Sequence, residues 1–103
     1  MKLFTIDTIP GQAFEALNTV KGTVVYSKNF GRDFMAGMKT LVGGEIAGYT
    51  EMLNEARQIA TKRMVDAAEA LGADAVVGLR YASSSVMQGA AEVIAYGTAV
   101  KFC

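Results

Sequence analysis

The chain has 103 residues, about the length of one domain, and we expect a single domain over residues 1–103. Its 10 lysines and arginines balance 10 aspartates and glutamates, which excludes a nucleic-acid binder that depends on bulk positive charge. Hydrophobic residues make up 51% of the chain and charged residues only 19%. The usual charged share is about 25%. The composition therefore indicates apolar surface that is covered in a homo-oligomer.

Targeting signals and membrane spans are not predicted. The apolar run at the N-terminus stops at Asp7, which is short for the hydrophobic core of a signal peptide. No stretch reaches the roughly 20 apolar residues of a membrane span. The one cysteine, Cys103, cannot form a disulfide within the chain, which is typical of a reducing compartment. We expect a cytoplasmic protein that binds neither membranes nor nucleic acid.

The first third of the chain has the pattern of β-structure. Residues 3–8 predict a short edge strand or arm, and Pro10 with Gly11 predicts a turn. Residues 12–27 alternate weakly between polar and apolar side chains, as a strand does. Gly22 interrupts this alternation, which predicts a bulge or a hairpin-like bend.

A short helix is predicted over residues 32–42. Its apolar residues recur at helical spacing, and they are Phe34, Met35, Met38, Leu41 and Val42. Asp33 suits the first turn of a helix, where a carboxylate meets the positive end of the helix dipole. Gly43 and Gly44 are expected to end it and to form a tight joint between two helices.

The strongest pattern predicts a long helix over residues 49–71. One face carries the apolar residues Tyr49, Met52, Leu53, Ala56, Ile59, Ala60, Met64, Ala67 and Leu71. Thr50 is the predicted N-cap, and Gly72 is the predicted residue after the C-terminus. Lys62 and Asp66 stand four residues apart and can form an ion pair. A helix of this length is expected to lie along a sheet.

Residues 75–87 and 90–102 predict an antiparallel hairpin of two strands. In the second strand, one face carries the small residues Ala91, Ala95, Gly97 and Ala99. We expect this face to pack against the long helix. The other face carries Ile94, Tyr96, Val100 and Phe102, and we expect it to contact neighbouring chains. The predicted fold class is α+β, a two-layer β-α-β-β unit with an antiparallel sheet.

Several segments together resemble one family of small bacterial proteins. They are the Gly-Arg-Asp of residues 31–33, the Leu-Val-Gly-Gly of residues 41–44, Tyr49, Leu53, Ala56-Arg57, the segment 72–78 and the closing segment 97–100. In their residues and their order they resemble the YbjQ family, and the resemblance covers essentially the whole chain. The resemblance implies a dodecin-like subunit and a propeller-like homopentameric ring. It also implies heavy-metal binding, the label of a family without an established function.

The residues themselves offer little to a metal or a cofactor. Soft metals bind thiolates, imidazoles or clustered thioethers, and the sequence has no histidine and one cysteine. Of the six methionines, four lie on predicted helical stripes, where Met commonly packs in a core. We expect no cofactor and no metal site in one subunit, although a ring would multiply the Cys103 thiolate. No acid–base pair or nucleophile motif selects an enzyme, and Ser83-Ser84-Ser85 predicts a polar hairpin end.

A set of polar and glycine residues, the polar cluster, is predicted around the helix junction. It consists of Arg32, Asp33, Gly43, Gly44, Glu45, Tyr49, Glu51 and Arg57. Glu51 and Arg57 are six residues apart, so they do not pair with each other along one helix. Each therefore needs a different partner. The cluster fits a network of ion pairs at a subunit interface, which we prefer, or a small-ligand site at a subunit boundary.

The sequence thus favours a non-enzymatic homo-oligomer that binds an unidentified small ligand at its interfaces. The first alternative is a heavy-metal-binding protein, as the family label implies. The second alternative is an enzyme that uses carboxylates and tyrosines for acid–base chemistry.

The short apolar stripe of residues 34–42 generates a prediction about assembly. We expect it to contact a neighbouring subunit, so Phe34→Asp should lower the sedimentation coefficient by weakening association. An unchanged sedimentation profile would contradict this prediction.

Overall fold

The computed structural model describes residues 1–27, 41–42, 45–87 and 90–103. The elements in these ranges are β1 (Lys2–Leu3), β2 (Phe14–Ser27), β3 (Leu41–Val42), β4 (Glu45–Ile46), α1 (Ala47–Ala70), β5 (Ala75–Met87) and β6 (Ala90–Phe102). Four strands form one sheet in the order β1-β5-β6-β2, and β3 pairs with β4 alone. The α+β class and the β5–β6 hairpin are confirmed, with the hairpin strands at their predicted bounds.

The main sheet is mixed, so the prediction of a wholly antiparallel sheet was wrong. β5 pairs antiparallel with β6, and β6 pairs antiparallel with β2, but β1 pairs parallel with β5. Since β1 and β2 consequently run in the same direction, the arm between them must return across the sheet. This arm covers the sheet face that lies away from the helix.

The arm buries part of the face that was predicted to contact neighbouring chains. Val100, Ala75 and Val77 form a small core there, under the side chains of Phe4, Ile9 and Phe14. Val100 is fully buried, so its predicted contact with another chain was wrong. Tyr96 and Phe102, on the same strand, are 40% and 36% exposed.

Hydrogen bonds hold the arm in place beyond β1. The Phe4 N–H donates to the Val76 carbonyl at 2.8 Å, and the Leu79 N–H donates to the Phe4 carbonyl at 2.9 Å. Arg80 adds a side-chain bond from Nη1 to the Thr5 carbonyl, also at 2.8 Å. The pairing of β5 with β6 shifts register between Val77 and Arg80, where Gly78 has a positive φ of 63°. Glycine fits that bulge because it has no Cβ to clash at positive φ.

The long helix is confirmed within two residues of its predicted bounds. Because α1 begins at Ala47, Thr50 lies inside the helix and its predicted role as N-cap was wrong. Gly72, with φ at 78°, ends the helix as predicted. Its N–H donates to the Glu69 carbonyl at 2.9 Å, and the Ala73 N–H donates to the Ala68 carbonyl at 3.1 Å, which is a Schellman motif. Among the described residues, no helix is long and apolar enough to span a bilayer.

The core lies between α1 and the small-residue face of the sheet, as predicted. The buried helix residues follow one another at intervals of four and are Met52, Ala56, Ala60, Met64 and Ala68. They pack against buried sheet residues that include Val20, Val76, Val93, Ala95 and Ala99. Because three of these five helix residues are alanines and Ala95 and Ala99 face them from the sheet, helix and sheet backbones come close together.

Gly22 marks the closest approach of helix and sheet. A Cβ at this position would lie 2.0 Å from the Ala60 carbonyl oxygen and 2.3 Å from the Met64 nitrogen. The predicted bulge at Gly22 was wrong, because its pairing with Ala95 continues an unbroken register. The irregularity in β2 falls instead between Ala16 and Asn18. Gly22 is therefore required by helix packing and not by a bend of the strand.

The structure describes only part of the segment that was predicted to form a short helix. Residues 32–40 lie outside the described residues. Leu41–Val42 forms β3, which pairs antiparallel with Glu45–Ile46, so a helix extending to residue 42 was wrong. For the same reason, Gly43 and Gly44 follow a strand and not a helix. The apolar spacing was compatible with both structures over so few residues, and the pairing with β4 decided between them.

Substitution of Gly22 tests the close contact between α1 and the sheet. Gly22→Ala should destabilise the fold by more than about 3 kcal/mol, because the clashing atoms belong to the helix backbone and cannot rotate away. Gly72→Ala is the matched control, since its Cβ would meet no atom within 4 Å and only the positive φ is strained. We expect it to cost about 1 kcal/mol. Urea unfolding at one protein concentration measures both changes, and equal effects would contradict the contact.

Candidate functional site

The structure describes only part of the predicted polar cluster. Arg32, Asp33, Gly43 and Gly44 lie outside the described residues, and the backbone places Glu45 in β4 and Tyr49 in α1. Glu51 and Arg57 have described side chains, and Glu51 is exposed while Arg57 is half-buried. Whether the eight residues meet in one site stays a prediction. The described contacts of Arg57, however, show a different set of neighbours.

Arg57 lies in an open groove between α1 and β5, here called the polar groove. Its lining residues are Asn54, Arg57, Gln58, Thr61 and Lys62 from α1 and Tyr81 from β5. The groove has a volume of about 540 Å³. The helix residues recur at intervals of three and four, which places them on one face of α1. Arg57 is oriented within this face by a hydrogen bond from Nη2 to Asn54 Oδ1.

Two hydroxyl groups join the helix to the sheet at the floor of the polar groove. Thr61 Oγ1 donates to the Arg57 carbonyl at 2.7 Å, and the same oxygen lies 2.8 Å from the Tyr81 hydroxyl. A threonine hydroxyl has one hydrogen, which the Arg57 carbonyl receives, so the Tyr81 hydroxyl is the donor in the second bond. Both hydroxyl hydrogens are therefore used within the protein.

The polar groove carries positive charge in a chain whose net charge is zero. Of the residues that the structure describes, Arg57 and Lys62 line it, and no acidic side chain does. The nearest acidic partner of Lys62 is Asp66, whose Oδ2 lies 3.1 Å from Nζ. This confirms the ion pair predicted from the spacing, but both side chains are more than half exposed, so the pair contributes little to stability.

A second groove, here called the apolar groove, lies between the last part of β2 and the first half of α1. Its lining residues are Val24, Val25, Tyr26, Met52, Glu55, Ala56 and Ile59. It is smaller, with a volume of about 220 Å³, and Glu55 is the one charged residue in this described lining. The sequence pattern assigned Ile59 to the core, but the side chain is 36% exposed at this groove.

The described residues of one chain do not fit a heavy-metal site. In residues 1–27, 41–42, 45–87 and 90–103, no three His, Cys, Asp or Glu residues lie together. Cys103 is exposed, and its N–H donates to the Ala13 carbonyl at 3.1 Å. Asp74 already serves the fold, because its Oδ2 accepts from the Phe102 N–H at 2.8 Å. A soft metal would need several thiolates or imidazoles, which a single chain does not bring together.

The three consecutive serines, residues 83–85, lie in the exposed outer half of β5, as the prediction of a polar hairpin end requires. They pair with β6 residues from Val93 to Ala91. Ser85 Oγ donates to the Met87 carbonyl at 3.3 Å. Ser85 does not resemble an activated nucleophile, because its hydroxyl bonds a backbone oxygen and not a base.

Comparison with known proteins finds bacterial relatives that match nearly the whole chain. A family model, YbjQ, described as "Putative heavy-metal-binding", matches residues 1–103. A "UPF0145 protein" of Clostridium novyi is 60% identical over 101 residues, which cover 98% of each chain. Another, from Helicobacter hepaticus, is 57% identical over 101 residues, or 98% of this chain and 97% of the relative.

A solved structure shares the fold. It is a protein of unknown function in the DUF74 family from Pediococcus pentosaceus, with a TM-score of 0.71 and 19% identity. The alignment covers 100% of this chain and 98% of that one. At this identity the likeness concerns the fold alone. The match to the family model over residues 1–103 and the identities near 60% show that the chain belongs to the YbjQ family.

Proposed function

We propose that the protein acts as a non-enzymatic homo-oligomer, a pentameric ring, that binds a small ligand near its subunit boundaries. The observation that carries the proposal is the exposed outer half of β5. Every residue from 80 to 87 of β5 is exposed. Val86 and Met87, both apolar, are 50% and 66% exposed. Exposed apolar side chains gathered in one region favour a protein–protein contact.

The shape of the chain supports the same proposal. The radius of gyration is 16.4 Å, and the principal extents are 50 × 27 × 17 Å. A compact domain of 100 residues has a radius of gyration of about 13 Å. The elongated shape leaves a large surface for the size of the chain, and association would cover part of it.

The strand edges that are unpaired among the described residues supply a route to a closed ring. Within the described residues, β2 pairs only with β6 along its 14 residues. β5 pairs with β1 only at Ala75 and Val76, so its outer half has a free edge as well. Unpaired N–H and C=O groups on such edges are available to another strand. A contact between two different edges is heterologous, and repeated contacts of this kind can close into a ring.

The polar groove lies close to one of these edges. Tyr81, which forms its wall, belongs to the outer half of β5. In an assembly through the β5 edge, the groove would consequently open near a subunit boundary. Pockets that bind small molecules are common at such boundaries.

Ile94 and Ala95 lie on opposite faces of β6, so substitutions at these two positions distinguish effects on assembly from effects on stability. Ile94→Glu should dissociate the oligomer, because it places a charge on the half-buried face away from the helix. Ala95→Leu is the matched control, since Ala95 is fully buried under α1 and extra volume should cost about 1–3 kcal/mol of stability. Sedimentation velocity and thermal unfolding of both variants measure the two effects. An oligomer that survives Ile94→Glu but dissociates with Ala95→Leu, at an unchanged melting temperature, would show the opposite assignment of faces.

Metal titration separates the proposed function from heavy-metal binding. We expect reduced protein to show no micromolar affinity for Zn²⁺ in calorimetry, because each chain has one cysteine and no histidine. Micromolar binding that Cys103→Ser abolishes would indicate a thiolate ring formed by several subunits. Micromolar binding that survives Cys103→Ser would contradict our assignment of ligands and favour the heavy-metal function.

A further inference from the structure

We infer that the polar groove binds a small anion with a carboxylate or phosphate group, and that Arg57 is its principal contact. The inference rests on the proposed function, because it names the chemical class of the small ligand. The polar groove differs from the predicted polar cluster, since Arg57 is the one residue that belongs to both. The other described residues that line the groove are Asn54, Gln58, Thr61, Lys62 and Tyr81.

Arg57 is held in a position suited to an anion. Its side chain is half-buried against the helix surface, and Nη2 donates to Asn54 Oδ1. Guanidinium has five N–H donors, so this bond leaves four others. Arginine presents these donors in a planar fork that fits the two oxygens of a carboxylate or phosphate. Fixing the fork before binding reduces the conformational entropy that the ligand contacts must offset.

The surrounding charges favour a small anion over a polyanion. Lys62 adds a second cation, whose Nζ also pairs with Asp66 Oδ2 at 3.1 Å. Among the described residues that line the groove, no carboxylate opposes a ligand of negative charge. Two cations in a chain of net charge zero cannot neutralise an extended row of phosphates, as a nucleic-acid site would require. The volume of about 540 Å³ is in the range of small-molecule sites.

The hydroxyl groups at the floor have a positioning role in this site. The hydrogens of Thr61 and Tyr81 are used within the protein, so neither donates to the anion while these bonds persist. Their bonds instead link the Arg57 carbonyl to β5 and thereby fix the groove between helix and sheet. The direct donors to the anion are Arg57, Lys62 and the Gln58 amide.

Titration followed by amide NMR tests the inference with two probes, inorganic phosphate and malonate. We expect either probe to shift the amide signals of residues 54–62 and of Tyr81. Arg57→Gln should weaken binding about tenfold or more, because the charged fork is lost. Arg57→Lys keeps the charge without the fork and should bind with intermediate affinity. It also serves as the second variant if Arg57→Gln does not fold.

Lys21→Gln is the matched control, because it removes one positive charge from an exposed position in β2, outside the groove. We expect its affinity to stay within about twofold of wild type, since exposed distant charges are screened by salt.

Binding of phosphate alone would indicate a phosphorylated ligand, and binding of malonate alone would indicate a carboxylate ligand. Both outcomes support an anion site provided that Arg57→Gln weakens the binding.

Absence of binding by both probes at millimolar concentration would overturn the inference, as would equal affinities of wild type and Arg57→Gln. Sedimentation of the same samples distinguishes this failure from failure of the proposed assembly. An oligomer without anion binding overturns the anion site and leaves the assembly intact. A monomer whose anion binding depends on Arg57 supports the site and contradicts the proposed ring.

Discussion

The close packing of α1 on the sheet at Gly22 is the contact on which the rest of the structure depends. Without a Cβ at this position, the helix backbone at Ala60 and Met64 can approach β2 directly. Arg63 strengthens the same contact from the helix, with Nη1 donating to the Thr23 carbonyl at 2.6 Å. Dense packing of small residues makes such an interface sensitive to one added methyl group. The position of α1 over β2 and β6 follows from it.

This position of the helix determines which surfaces are left for function. α1 covers β2 and β6, while the N-terminal arm covers the opposite face at Val100. The outer half of β5 lies beyond both layers and is exposed. There the Tyr81 hydroxyl reaches α1 through Thr61 and closes one side of the polar groove. In the part of the chain that the structure describes, the same geometry therefore accounts for a free strand edge and for a cationic groove beside it.

The fold could be predicted largely because its signals are local. The apolar stripe of α1, the positive φ of Gly72 and the alternation along β6 each act within a few residues. The role of Gly22 could not be read locally, because the atoms that it must avoid lie about 40 residues away in the chain. The burial of Val100 likewise depends on an arm from the other end of the sequence. Alternation along a strand predicts which face of the sheet a side chain lies on, but not which other segment covers that face.

The polar groove could be predicted only in part, since Arg57 was a candidate and Tyr81 was not. Helical spacing places Asn54, Arg57 and Thr61 on one face of the helix, yet the sequence does not show that Tyr81 lies opposite them in the groove.

We propose that the exposed edges and apolar residues are surfaces for self-association. Native mass spectrometry of the wild-type protein tests this most directly, and we expect a mass of about 54.5 kDa, five times the 10.9 kDa of one chain. A single species at 10.9 kDa, at concentrations up to tens of micromolar, would contradict the claim.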